Sequence, residues 1–149
     1  MPDRQLIRSG FVLLLLAMLT GLLIPVVANP RMALAAHVTG AMAGLTLVVV
    51  GLAWPHVVRS RPIGKTMRAC LLFAAFGNWV AGMLASVFGT NKLTPLNGGP
   101  GAAVAWQETA VAALQVAQAI AILVALSLAV YELRPGRGAD QPRSGRSAA

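Results

Sequence analysis

The chain is poor in charge, in aromatic residues, in acid and in cysteine, and each shortage excludes something. Only 11% of its 149 residues are charged and 5% are aromatic, against 57% hydrophobic. That leaves too little polar surface for a soluble globular domain of this length, and a single membrane-embedded domain fits instead. Cys70 stands alone, which excludes an intramolecular disulfide, a cysteine-rich metal centre and a Cys-x-x-Cys-His attachment for covalent haem. Its ordinary role is a small packing residue near a helix end. Four Asp and Glu face 12 Lys and Arg, a formal net charge of +8. Paired carboxylates are absent, as are Gly-x-Ser-x-Gly, a phosphate loop and His-Glu-x-x-His, so no soluble-enzyme signature is present. A basic chain can gather nucleic acid by counterion release. Here the cations cluster at the ends of apolar segments and no folded polar surface remains to carry a groove-binding patch, so nucleic acid is not an expected partner.

Four long apolar runs remain, and they predict an all-α, four-helix transmembrane bundle over residues 1–133, with helices at about 10–28, 30–54, 67–88 and 106–133. At ~1.5 Å per residue each crosses most or all of a ~30 Å hydrocarbon core. Arg4, Arg8, the first run and Ala33-Leu34-Ala35 mimic a secretory signal. The run is longer than a usual signal core and Pro30 follows it, which favours a retained helix. Gly10, Ala17, Gly21 and Ala28 form one small-residue stripe that lets a neighbouring helix approach closely. Asn29 then caps and Pro30 opens the second helix, and Trp54-Pro55-His56 reads as its stop at the membrane interface. Residues 57–66 read as a loop. Residues 89–105, with Asn97-Gly98-Gly99-Pro100-Gly101, form a connection long enough for a lid or for flexible filler. Residues 134–149 have too little apolar content to fold and are expected to be disordered. All Lys and Arg except Arg31 and Lys92 fall on one side of this arrangement, so the positive-inside rule predicts both termini in the cytoplasm.

The most chemical stretch is residues 29–44. His37 lies about two turns inside an apolar helix, on the face of Gly40 and Gly44, and Gly40-x-x-x-Gly44 is a close-packing motif. His37 is expected ~10 Å from one end of its helix, with Asn78 and Gln115 each ~15 Å from the same end of theirs, so these polar groups can meet in one half of the bundle. Interhelical hydrogen bonds in membranes average only ~0.6 kcal/mol, yet unsatisfied polar groups in hydrocarbon cost several. A functional cavity explains them. The plain alternative is that Asn and Gln pair with each other or with a backbone carbonyl. Arg31 sits in the first turn of a helix, facing the positive end of the dipole, and calls for an anion. Glu108, a ligand carboxylate and a lipid phosphate are the candidates, and snorkelling to the interface is the plain alternative.

Taken together, Asn29-Pro30-Arg31-Met32, Ala36-His37-Val38-Thr39-Gly40, Asn78-Trp79, Phe88-Gly89-Thr90 through Thr94-Pro95, and Trp106-Gln107-Glu108 make a chain that resembles hydroxylaminobenzene mutase over residues 7–133. Members of that family, small bacterial membrane proteins, rearrange an arylhydroxylamine to an aminophenol. More distantly the chain is similar to styrene oxide isomerase, also a four-span protein, in which a His ligates a haem iron acting as Lewis acid between subunits of a trimer. The resemblance implies an isomerase of a small apolar aromatic in the bacterial inner membrane, working as a homo-oligomer such as a trimer, with His37 as axial metal ligand of haem b. Asn78 and Gln115 would orient substrate, and Glu108 with Arg31 would form a polar cluster or meet a haem propionate. The chain departs from the mutase pattern at Thr39 and Ala43, where an acidic residue and an Asn stand, and from the isomerase at Gly82 or Met83, near its catalytic Tyr. Those departures keep open a non-catalytic accessory protein on the same scaffold. A small-molecule permease is the third reading, although such proteins usually show more intramembrane charge or inverted repeats.

Overall fold

The structure is a computed structural model that describes residues 1–97 and 103–134. The described residues form four long helices and no strand: α1 (Arg4–Leu23), which continues as a 3-10 turn at Ile24–Val26, α2 (Pro30–Val57), α3 (Arg61–Phe88) and α4 (Ala105–Glu132). All four are long and apolar enough to cross a membrane. Helices of 28 residues run ~42 Å, so their ends outreach a ~30 Å hydrocarbon core and reach headgroup depth. Large side chains such as Leu19, Leu45, Leu52, Leu123 and Val130 point away from the protein, as lipid-facing positions do. Successive helices pack in order, α1 on α2, α2 on α3, α3 on α4, so α3 is covered on two sides. Its buried face is built of Gly64, Ala74, Ala75, Gly77, Ala81, Gly82 and Ala85.

The α1–α2 contact is set by glycine. A Cβ on Gly10 would lie 2.6 Å from the Gly44 carbonyl oxygen, and one on Gly44 would lie 2.8 Å from the Gly10 oxygen. The two backbones therefore touch, which side chains of any size would prevent. Of the stripe expected from the sequence, Gly10, Ala17 and Gly21 make this contact, with Ala17 against Gly40 and Gly21 against His37, while Ala28 is exposed beyond the helix; Ile7, outside the stripe, lies against Gly51.

Four helix boundaries differ from the sequence expectation: the first helix ends at Leu23, with a 3-10 turn to Val26, short of the expected residue 28, and the other three differ because a local cap or a distant group satisfies backbone that would otherwise be left open. The first helix begins at Arg4 rather than near residue 10, since Asp3 Oδ1 accepts from the Gln5 and Leu6 amides. Pro55 does not stop α2. Its missing N–H would have bonded the Gly51 carbonyl, and that carbonyl instead accepts the Asp3 amide at 2.8 Å. The third helix begins at Arg61, six residues ahead of expectation at Met67, because the Glu132 carboxylate accepts from the amides of Arg59 (2.5 Å) and Ser60 (2.9 Å) where the Ser60 side chain makes no cap. Asn29 caps α2 as expected, its Oδ1 accepting the Met32 amide. Gly89 ends α3 at φ 69°, a left-handed conformation that glycine adopts without strain. The Gly-Pro-rich part of the last connection and the expected disordered tail beyond Arg134 lie outside the described residues.

Replacing Gly44 with Leu is expected to destabilise the protein by about 1–3 kcal/mol, the cost of overpacking a closed contact. Thermal melts in detergent followed by circular dichroism test this, with Leu45→Val, at a 58% exposed position, leaving the midpoint unmoved.

Candidate active site

His37 lies in the seam between α1 and α2. Its Nδ1 is 2.7 Å from the carbonyl oxygen of Ala17. A carbonyl only accepts, so Nδ1 carries the proton, and in the neutral ring the lone pair is then on Nε2. Gly21 makes this possible: a Cβ there would sit 3.1 Å from Nδ1 and 3.2 Å from Cε1 of the ring, over the carbonyl the ring reaches. The side chain is half-buried. The result is an oriented imidazole with one free basic nitrogen, the arrangement that metal-binding histidines use.

Close by, buried Thr20 donates to the Leu16 carbonyl (2.9 Å) and accepts from Trp79 Nε1 (3.0 Å). Trp79 reaches α1 from α3 by passing over Gly40, where a Cβ would be 2.7 Å from its Cδ1. This bond ties α1 to α3 across α2 and braces the backbone that holds His37.

A cavity of about 410 Å³ lies over α3, between α2 and α4, its wall formed by Met42, Thr46, Leu71, Asn78, Gln118 and Ile122 among others. Its volume falls within the range of small-molecule sites, ~300–1,000 Å³. The lining is mostly apolar, with the Asn78 and Gln118 carboxamides as its main polar groups. Neither carboxamide hydrogen-bonds another described residue. The Thr46 hydroxyl has spent its proton on the Met42 carbonyl and can only accept. On α2, at about 100° per residue, Met42, Ala43 and Thr46 lie about 140–240° round from His37, so cavity and imidazole occupy opposite faces of that helix.

The other expected site residues are distributed differently. Gln115 is half-buried but absent from the cavity wall, where Gln118, one turn on, takes the corresponding place. Glu108 accepts the amides of Asn91 (3.0 Å) and Lys92 (3.1 Å) and so anchors the connection that follows α3. Arg31 is exposed, and among the described residues the one ion pair is Arg68 with Asp3. Arg31 and Glu108 therefore form no ion pair here. Sequence reasoning passed over Thr20, Trp79 as its partner, and the cavity roles of Thr46 and Gln118. A threonine inside the small-residue stripe was the available signal for the first; the others depend on which helix faces which. Among the described residues no group of three His, Cys, Asp or Glu could hold a bare metal ion. A metal here would have to bring most of its own ligands.

Comparisons with known proteins agree with this membrane architecture. A family model described as styrene oxide isomerase matches residues 2–134. Hydroxylaminobenzene mutase HabB of Ectopseudomonas oleovorans is 32% identical over 146 residues, covering 95% of this chain and 89% of the relative. Hydroxylaminobenzene mutase HabA of the same organism is 38% identical over 95 residues, covering 63% and 70%. No solved structure matches the chain significantly.

The histidine geometry has a direct spectroscopic consequence. In ¹⁵N NMR of the imidazole, His37 is expected as the Nδ1–H tautomer, the minor form of free neutral imidazole. Gly21→Val, which drives a side chain into the ring, is expected to abolish that signature.

Proposed function

The chain belongs to the styrene oxide isomerase family, and on that premise we propose that it is a multi-pass membrane isomerase that converts an arylhydroxylamine to an aminophenol by intramolecular hydroxyl transfer. The observation that carries this reading is the apolar cavity whose Asn78 and Gln118 carboxamides lack protein partners. In hydrocarbon, unsatisfied amides are costly. A small aromatic bearing an N–OH group satisfies them while its ring takes the apolar wall. The names of the two relatives specify that chemistry for those proteins, and HabB matches nearly the whole chain.

A neutral aromatic hydroxylamine partitions into the bilayer and reaches such a cavity laterally. Heterolysis of its N–O bond requires the departing oxygen to be protonated or bound to a Lewis acid. Asn78 and Gln118 hold and orient the polar end, and Gln115, expected for that task from the sequence, stands one turn away. The apolar wall excludes bulk water, so the oxygen returns to the ring instead of being lost to solvent capture. Glu108 supports the site at a distance, by holding the connection between α3 and α4.

Family membership implies haem b, and the residues fit it. His37 presents one Nε2 lone pair, its Nδ1–H is tied to the Ala17 carbonyl, and a Cβ at Gly21 would fill the space the ring uses. His37 would hold the iron through Nε2, and Arg31 would meet a propionate. When bound, the haem iron supplies Lewis acidity toward the hydroxylamine oxygen. His37 and the cavity occupy opposite faces of α2, so a second copy is needed to bring one protomer's imidazole to another's cavity. A homo-oligomer such as a trimer supplies this. The excess of Lys and Arg at the end where the chain starts and stops favours a bacterial inner-membrane protein with both termini in the cytoplasm.

A second reading, a non-catalytic accessory protein on the same scaffold, draws on two positions. Ala43 adds an apolar side chain to the cavity wall where the mutase pattern has an amide, and the exposed Thr39 hydroxyl is spent on the Ala35 carbonyl. Turnover separates the two. Membranes containing the protein are expected to convert phenylhydroxylamine to 2-aminophenol, followed by chromatography, and Asn78→Leu and Gln118→Leu each to lower kcat/KM about 10- to 100-fold, the worth of one substrate hydrogen bond. Product formation no faster than in control membranes would leave the accessory reading. A Soret band in the purified protein, lost in His37→Ala, is the expected sign of the haem ligand; pigment and turnover surviving that substitution would remove His37 from the mechanism.

A further inference from the structure

The end of the bundle where α2 gives way to α3 holds a second pocket, of about 350 Å³, that the isomerase reading does not use. Every ionisable side chain in its wall is a cation: Arg59, Arg61, Lys65 and Arg68. Two carboxylates lie near. Asp3 pairs with Arg68, Oδ2 to Nη2 at 2.7 Å, and Glu132 is committed to the backbone amides of Arg59 and Ser60. Arg59 Nη1 donates to the Arg134 carbonyl (3.1 Å), and Arg59 forms no ion pair among the described residues. Arg61 and Lys65 are exposed and form no ion pair among the described residues.

This arrangement is electrostatically costly by itself. Arg61 and Lys65 are four residues apart on one helix face, where like charges repel, and both lie in the first turns of α3, at the positive end of its dipole. The Arg68 guanidinium is stacked on the Trp54 ring, 5.5 Å from its centroid, and its Nε is buried with no hydrogen-bond partner. Arg68 is already paired with Asp3 and bonded to Gln5, so it is the concentration of unmatched positive charge on Arg59, Arg61 and Lys65 beside the cavity that calls for a compact multidentate anion. Guanidinium groups and helix N-termini match phosphate in geometry and charge.

We propose that this pocket binds a phosphate group, supplied by the headgroup of an anionic phospholipid. The pocket lies at the helix ends, at headgroup depth, and Trp54 and Val58 give it an apolar side on which the glycerol and first acyl carbons can lie. Basic pockets between spanning helices recognise lipid phosphates in this way. Bound there, the lipid couples the start of α1, through Asp3, to the α2–α3 turn.

The test uses the full chain purified in mild detergent, exposed to dioleoylphosphatidylglycerol, dioleoylphosphatidylcholine or inorganic phosphate, with bound lipid counted by native mass spectrometry and stability read by thermal melt. Phosphatidylglycerol is expected to bind in preference to phosphatidylcholine. Arg61→Gln with Lys65→Gln, both at exposed positions, is expected to weaken that binding roughly 10- to 30-fold with unchanged circular dichroism. Arg4→Gln with Arg8→Gln removes the same charge elsewhere and is expected to leave binding intact. Equal binding of the two lipids, with phosphate stabilising the parent and not the Arg61/Lys65 variant, would keep the phosphate site and overturn its lipid source. No preference and no phosphate effect, or equal loss in both double variants, would overturn the site.

Discussion

Backbone polar groups that face hydrocarbon cannot be left to water, and most of this structure follows from how its interruptions in helical hydrogen bonding are made good. Pro55 removes a donor near the end of α2, and the amide of Asp3, at the start of the first helix, replaces it. The open amides before α3 are taken by Glu132, and those after it by Glu108. Two of the chain's four acids thus stand at opposite ends of α4, Glu132 closing the turn between α2 and α3 and Glu108 the connection between α3 and α4. This explains why so acid-poor a chain spends acids there.

The same rule produces the candidate site. Gly21, having no Cβ, leaves room for the ring of His37, which uses the Ala17 carbonyl as a further acceptor and thereby selects the tautomer. Thr20 accepts the Trp79 indole, so that a polar pair buried in the bundle costs nothing and gains a cross-brace. Asn78 and Gln118, which hydrogen-bond no other described residue, line a cavity instead. Close glycine contacts make the scaffold possible, since helices in lipid gain little from burying apolar surface and depend on packing at short range.

Much of this was legible in the order of residues. Four apolar runs of spanning length, the Gly10 to Gly21 stripe, Asn29-Pro30 as a helix start and the facing glycines of α2 all depend on periodicity and local capping, which act within a few residues. The singling out of His37 and Asn78 rested on the cost of polar groups in hydrocarbon. The helix start at Arg61 and the continuation through Pro55 were not legible, because the groups that permit them are separated in sequence from the positions they serve by up to 73 residues, whereas the start at Arg4 rests on Asp3, a local cap that the sequence reading passed over. Arg31 and Glu108 share a membrane end by sequence, yet Glu108 is taken by loop amides, a contact that composition and period do not encode.

The sequence by itself determined the class of molecule, an all-helical membrane domain with small-residue faces and a histidine within the second helix, because hydrophobic length and helical period are properties of the chain alone. Tertiary structure decided which faces meet. It set His37 against α1, put Gln118 rather than Gln115 in the cavity wall, gathered four cations around one pocket, and put imidazole and cavity on opposite sides of α2. Those outcomes depend on rotation and register between helices, which are fixed where Gly10 meets Gly44 and Trp79 meets Thr20, contacts between residues that no local rule connects.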